Sequence, residues 1–100
     1  MTTMNELQRL QIWYRSQCNG DWEHSFGVEI TTLDNPGWML KIDLAETVLA
    51  EKEFVLLTRS DSETDMDWIS CKKEANQFVG YGGADNLIDL LHIFLDWAES

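Results

Sequence analysis

Two short runs of alternating apolar and polar residues, joined by Asp34-Asn-Pro-Gly37, constrain this chain more than any other feature. Phe26, Val28 and Ile30 alternate with Gly27, Glu29 and Thr31. Beyond the turn, Trp38, Leu40, Ile42 and Leu44 alternate with Met39, Lys41 and Asp43. A period of two sends successive side chains to opposite sides of a strand, so each run has one face to bury. Between them proline suits the first central position of a turn and Gly37 the left-handed one. A β-hairpin follows.

Helical spacing flanks it. Leu7, Leu10, Ile12, Trp13 and Tyr14 predict a helix from Asn5, its N-cap, to about Gln17, with Asn19-Gly20 as terminator. Leu87, Leu90, Leu91, Phe94, Leu95 and Trp97 form a wide apolar stripe on a last helix that opens at Ala84 or Asp85 and ends near Trp97. Gly80-Tyr-Gly-Gly83 is read as the break before it. Further strands are expected at 53–59, 67–73 and 77–81. The fold class is therefore α+β, one domain over residues 1–100. An antiparallel, meandering sheet of four to five strands carries the N-terminal and C-terminal helices on one face. The other sheet face is left available to a partner.

Charge narrows the partners. Seven Lys and Arg stand against 18 Asp and Glu, a formal charge of −11. Nucleic-acid affinity rests on cations that neutralise phosphates, and anionic lipid repels such a chain, so neither nucleic acid nor membrane is an expected partner. A basic protein is. No segment approaches the roughly 20 apolar residues of a membrane span, and the first residues are not of signal-peptide type. A cytoplasmic protein with Cys18 and Cys71 reduced is expected, as a monomer or a weak homodimer.

Residues 18–38 concentrate the chemistry, with two tryptophans, a histidine and four carboxylates besides the only proline. His24 beside Asp21 and Glu23 has the residue types of general acid/base catalysis. Adjacent residues on a strand point to opposite faces, however, and no Gly-x-Ser-x-Gly elbow accompanies them. Cys18, His24, Cys71 and His92 lack metal-ligand spacing, and His92 reads as a core or rim histidine bonded to backbone. Cys18, at a helix C-terminus, reads as a half-buried structural thiol, because the dipole there disfavours a thiolate. Neither metal nor cofactor is expected. Two features fit binding. Asp61, Glu63, Asp65 and Asp67 alternate along what reads as a hairpin tip, either an ordinary solvated loop or, if they project together, an anionic prong. Trp22, between Asp21 and Glu23, reads as a partly exposed aromatic anchor of the kind found at binding hot spots; Trp38 reads as core.

Several pieces together resemble the immunity protein 53 family. They are Leu10-x-x-Trp13-Tyr14, Cys18-Asn-Gly-Asp-Trp-Glu-His24, Gly27-Val28, Thr32-Leu-Asp-Asn-Pro-Gly-Trp38 and Ile42-Asp-Leu44. Asp67-Trp68-Ile69, Gly80-x-Gly-Gly83 and the closing helix with Trp97 extend the likeness over essentially the whole chain. Trp13, Trp22, Glu23, His24, Asp34, Asn35, Gly37 and Trp38 match the family pattern. The resemblance implies a small cytoplasmic bacterial protein of a polymorphic toxin locus, a stoichiometric inhibitor with no turnover and no cofactor. With the charge, it makes Asp21, Trp22, Glu23, His24, Asp34, Asn35, Asp61, Glu63, Asp65 and Asp67 the candidate partner-binding residues. The toxin is expected to be basic and a nuclease is the class suggested. The alternative is a small enzyme or small-molecule-binding domain using Glu23 and His24 near Trp38.

Overall fold

A computed structural model describes residues 4–59 and 66–100. Helix α1 spans Glu6–Gln17 and α2 is a single turn, Trp22–Ser25. Strands β1 (Val28–Leu33) and β2 (Gly37–Asp43) form the expected hairpin. A 3-10 turn at Val48–Glu51 leads to β3 (Leu57–Arg59), followed by β4 (Ile69–Glu74), β5 (Gln77–Gly82) and α3 (Leu87–Glu99). All strand pairs are antiparallel, in the order β1-β2-β5-β4-β3. The sheet is thus not a simple meander: β5 folds back between β2 and β4.

Local chemistry sets the boundaries. Asn5 and Gln8 form a reciprocal capping box, each side chain accepting from the other's backbone amide at 2.8 and 2.9 Å. Gly20, at φ +91°, turns the chain after α1. The last helix starts at Leu87 behind Asn86, three residues later than Ala84 and two later than Asp85. Of the expected strand at 53–59 only the last three residues pair. Phe54 instead drops onto the core, edge-on to Phe78 and Trp97, while Val55 and Leu56 stay exposed.

The register places Leu40, Ile42, Ile69, Cys71 and Phe78 on one sheet face with Gly80 and Gly82 between them. Helix α3 lies over that face. A Cβ at Gly80 would come within 3.2 Å of Leu90 and 3.4 Å of the Cys71 sulfur. These glycines are therefore sheet positions that let α3 approach closely, rather than a break in the chain. Gly37 likewise is not left-handed; a Cβ there would collide with the Gly82 carbonyl oxygen. Aromatic rings link the layers, Trp13 to Phe94 at 5.1 Å and Phe94 to Phe78 at 5.2 Å, so α1, α3 and β5 share one core. Burial pushes the Cys71 thiol up to about 12. Among the described residues no helix covers the opposite face. At its centre Val79 is nevertheless buried, with Lys41 and Lys72 as its cross-strand neighbours.

Candidate interaction surface

Helix α2 exists because Asn19 and Glu23 organise the turn before it. The Asn19 side chain accepts from the Asp21 and Trp22 amides, both at 2.9 Å. The Glu23 carboxylate accepts from the Asn19 amide at 3.0 Å and the Gly20 amide at 2.9 Å. Amide donors, its own and then those of Asn19 and Gly20, hold the Glu23 carboxyl below the usual carboxylate range. Glu23 is a structural clasp in this arrangement. Glu23 and His24 sit on a helical turn and not on a strand, so strand geometry does not apply to them.

Trp22 is buried, with 4% of its surface exposed, which corrects the expectation of a partly exposed anchor. Its ring lies edge-on to Trp13 and Tyr14, both at 6.1 Å, and its indole N–H donates to the Ala45 carbonyl at 2.9 Å. The short helix turns its one large apolar side chain inward, under the end of α1. Asp21 and His24 remain exposed beside it.

Asp34 and Asn35 lie exposed on the β1–β2 turn, where the Asn35–Pro36 bond is cis. Their distance from α2 follows from the register. Val28 and Asp43 mark one end of the sheet, next to α2; Leu33, Gly37, Gly82, Ile69 and Arg59 mark the other. At roughly 3.3 Å per residue the two ends stand about 17 Å apart. The candidate residues therefore form two groups. Asp21, Glu23 and His24 are at the α2 end, and Asp34, Asn35 and Asp67 at the turn end. Asp61, Glu63 and Asp65 lie outside the described residues, in the connection between the paired residues Arg59 and Ile69. Trp38 is also at the turn end, its indole donating to the Ala84 carbonyl at 2.8 Å. A pocket combining Glu23 and His24 with Trp38 is thus not formed.

Asp67 is a member of a polar cluster at the start of α3. Arg59 donates to Asp67 at 2.7 Å and to Asp89 at 2.8 Å. The buried Asn86 side chain donates to the same two carboxylates at 2.9 and 3.2 Å. The Arg59 guanidinium first, then the Asn86 amide, holds the Asp89 carboxyl below its ordinary range. His92 is exposed, with its ring nitrogens 3.4 Å from a Glu6 carboxylate and 2.8 Å from an Asp96 carboxylate. It faces acids, not the backbone partners expected of it. Cys18 caps α1 half-buried, its thiol directed at the Tyr14 carbonyl at 3.3 Å.

The disposition of the cations was not foreseeable from spacing. Arg9 pairs with Asp96 and Glu99, Arg59 with Asp67 and Asp89, and Lys72 with Glu74. The Lys52 ammonium donates to the Trp97 and Ser100 carbonyls at 2.7 Å, covering the negative end of α3. Lys73 does the same for the 3-10 turn through Ala50 at 2.6 Å and Lys52 at 2.7 Å. Among the described residues only Arg15 and Lys41 hold neither an acid nor a carbonyl. Asp21, Glu29, Asp34, Glu46, Glu51, Glu53 and Asp85 are exposed and have no cationic partner among the described residues.

No group of metal-ligating side chains occurs among the described residues, and none of their helices is long and apolar enough to cross a membrane. The family model for immunity protein 53 matches residues 7–99. Neither the curated proteins nor the solved structures contain a match.

Proposed function

Since this chain belongs to the immunity protein 53 family, we propose that it neutralises a cognate toxin domain by binding it stoichiometrically through its acidic surface. The observation that carries this reading is the disposition of charge. Five of the seven cations are held by the chain's own carboxylates or carbonyls, so unpaired acids dominate what a partner meets. A basic domain would be steered to such a surface, and charge pairs closing at the interface would oppose its release. A nuclease is the toxin class whose phosphate-binding cleft an acidic surface would fill. The reading involves no turnover and no cofactor, and it belongs to a cytoplasmic bacterial protein guarding its own cell.

In this reading Asp21, His24, Asp34 and Asn35, with the acids Asp61, Glu63 and Asp65, are available for direct contact. Trp22, Glu23 and Asp67 support it by holding their neighbours in place. A pull-down from the native host with the tagged protein, at low and at high salt, tests it. Recovery of a secreted protein with a basic C-terminal toxin domain, lost at high salt, is expected. Recovery of nothing from cells that express the neighbouring genes would overturn it.

A further inference from the structure

The sheet has one long edge that no part of the described chain covers. Strand β1 is outermost and pairs only with β2. The ladder tells which of its backbone groups are open. The Asp43 amide donates to the Gly27 carbonyl at 3.0 Å, so odd-numbered β1 positions bond to β2. The residue just after β2 continues the alternation, because the Leu44 amide donates to the carbonyl of Asn76, just before β5, at 2.8 Å. Val28, Ile30 and Thr32 therefore turn their amides and carbonyls outward.

Natural edges are commonly guarded by lysine, proline, a bulge or very short length. Strand β1 reads Val-Glu-Ile-Thr-Thr-Leu, keeps unbroken register over six residues, and has none of these. The opposite edge, β3, has three residues, and Arg59 there is tied to Asp67 and Asp89. Next to β1 a cleft of about 330 Å³ is lined by Leu10, Gln11 and Tyr14 of α1 and by Gly27 and Val28. Ile30 continues this apolar side at 37% exposure.

We infer that the partner adds an extended segment along the free edge of β1, hydrogen-bonded at Val28, Ile30 and Thr32. This rests on the toxin-binding reading and specifies where and how the toxin is held. The two faces of such a segment are dictated by the pleat. Side chains opposite Val28 and Ile30 point to the helix side and into the cleft, so they are apolar. Those opposite Glu29 and Thr31 lie on the open sheet face. Glu29 is exposed, and Asp34 follows at the strand's end, with no cation on β1 itself. The segment therefore alternates apolar residues with Lys or Arg, and cross-strand opposite charge favours that register. A second copy of this chain is the poorer occupant, since each carries a charge of −11.

The test is amide hydrogen exchange of the intact chain, alone and with two probes. One is the toxin domain recovered by the pull-down, the other a short synthetic peptide of alternating lysine and valine. Slowed exchange at Val28, Ile30 and Thr32 is expected with both. Ile30→Pro deletes an outward amide that β2 does not use and should weaken toxin binding by roughly five- to tenfold. Ile30→Ala, which keeps the amide, should weaken it less, and thermal melting of both variants confirms that each is folded. Toxin bound without protection at these amides, or with protection at 57–59 instead, would overturn the edge while leaving toxin binding intact. A chain that dimerises through β1 at low salt would also overturn it. A toxin not neutralised by the wild-type chain would instead remove the functional reading on which the inference stands.

Discussion

Replacing Trp22 separates its structural role from a contact role. The side chain is 4% exposed, touches Trp13, Tyr14 and Phe26, and donates to the Ala45 carbonyl. A buried tryptophan covers roughly 150–250 Å², which at about 25 cal/mol per Å² corresponds to about 4–6 kcal/mol. Truncation of large core aromatics costs about 3–5 kcal/mol in practice. Against a typical domain stability of about 5–15 kcal/mol, Trp22→Ala should leave the chain barely folded. Trp22→Phe keeps a ring but loses the indole donor, about 1 kcal/mol, and part of the buried area, about 1 kcal/mol more. At about 4–8 °C per kcal/mol for a domain of this size, its Tm should fall by about 8–16 °C. Near-ultraviolet circular dichroism during thermal and urea unfolding reads both variants. Toxin affinity of folded Trp22→Phe should stay near wild type. A Tm unchanged in Trp22→Ala, or affinity lost by Trp22→Phe at unchanged Tm, would refute the assignment and return Trp22 to the interface.

Other consequences follow from particular contacts. Ala75 occupies φ +50° in the β4–β5 turn, a region that costs L-residues about 1–2 kcal/mol, so Ala75→Gly should raise the urea midpoint by an amount equal to about 1 kcal/mol. Gly37→Ala should lower it by about 1–3 kcal/mol, because the new Cβ meets the Gly82 carbonyl oxygen. A thiol reagent at mildly alkaline pH should label Cys18 in the native chain and reach Cys71, whose pKa is pushed to about 12, only after denaturation. The Asp89 carboxyl is held below its ordinary value when folded, so the stability it lends is present above the unfolded carboxylate range and is lost as pH falls through the folded value. Acid unfolding followed below about pH 4 should accordingly show a shallower limb in Asp89→Asn than in wild type.

The elements that could be read from the chain are those whose period repeats often enough to be distinctive. Helix α1 with its Asn5 cap, the β1–β2 hairpin and α3 all belong to this class. Helix α2 did not stand out, because four residues containing one apolar side chain show no period. The run Phe54-Val-Leu-Leu57 looked like a strand from its composition, yet Phe54 is drawn onto Phe78 and Trp97 and pairing begins only at Leu57. The place of β5 between β2 and β4 is set by contacts far apart in sequence, for which no local pattern exists. In β1 the alternation was real, but its face is only partly covered: Ile30 is exposed because α1 and α3 do not reach over the strand's outer half. The candidate site was legible as a set of residue types and not as a surface. Asp21 and Asp34 look close in the sequence but sit at opposite ends of a strand, and Trp22 turns inward between two charged neighbours.

The central claim is that acids on this surface draw in a basic toxin. It is tested most directly by the association rate of the purified chain with its captured toxin domain, measured across a series of salt concentrations. Steered association predicts an on-rate that falls steeply as salt rises, by tenfold or more, with a dissociation rate that changes much less. An on-rate indifferent to salt would contradict the account.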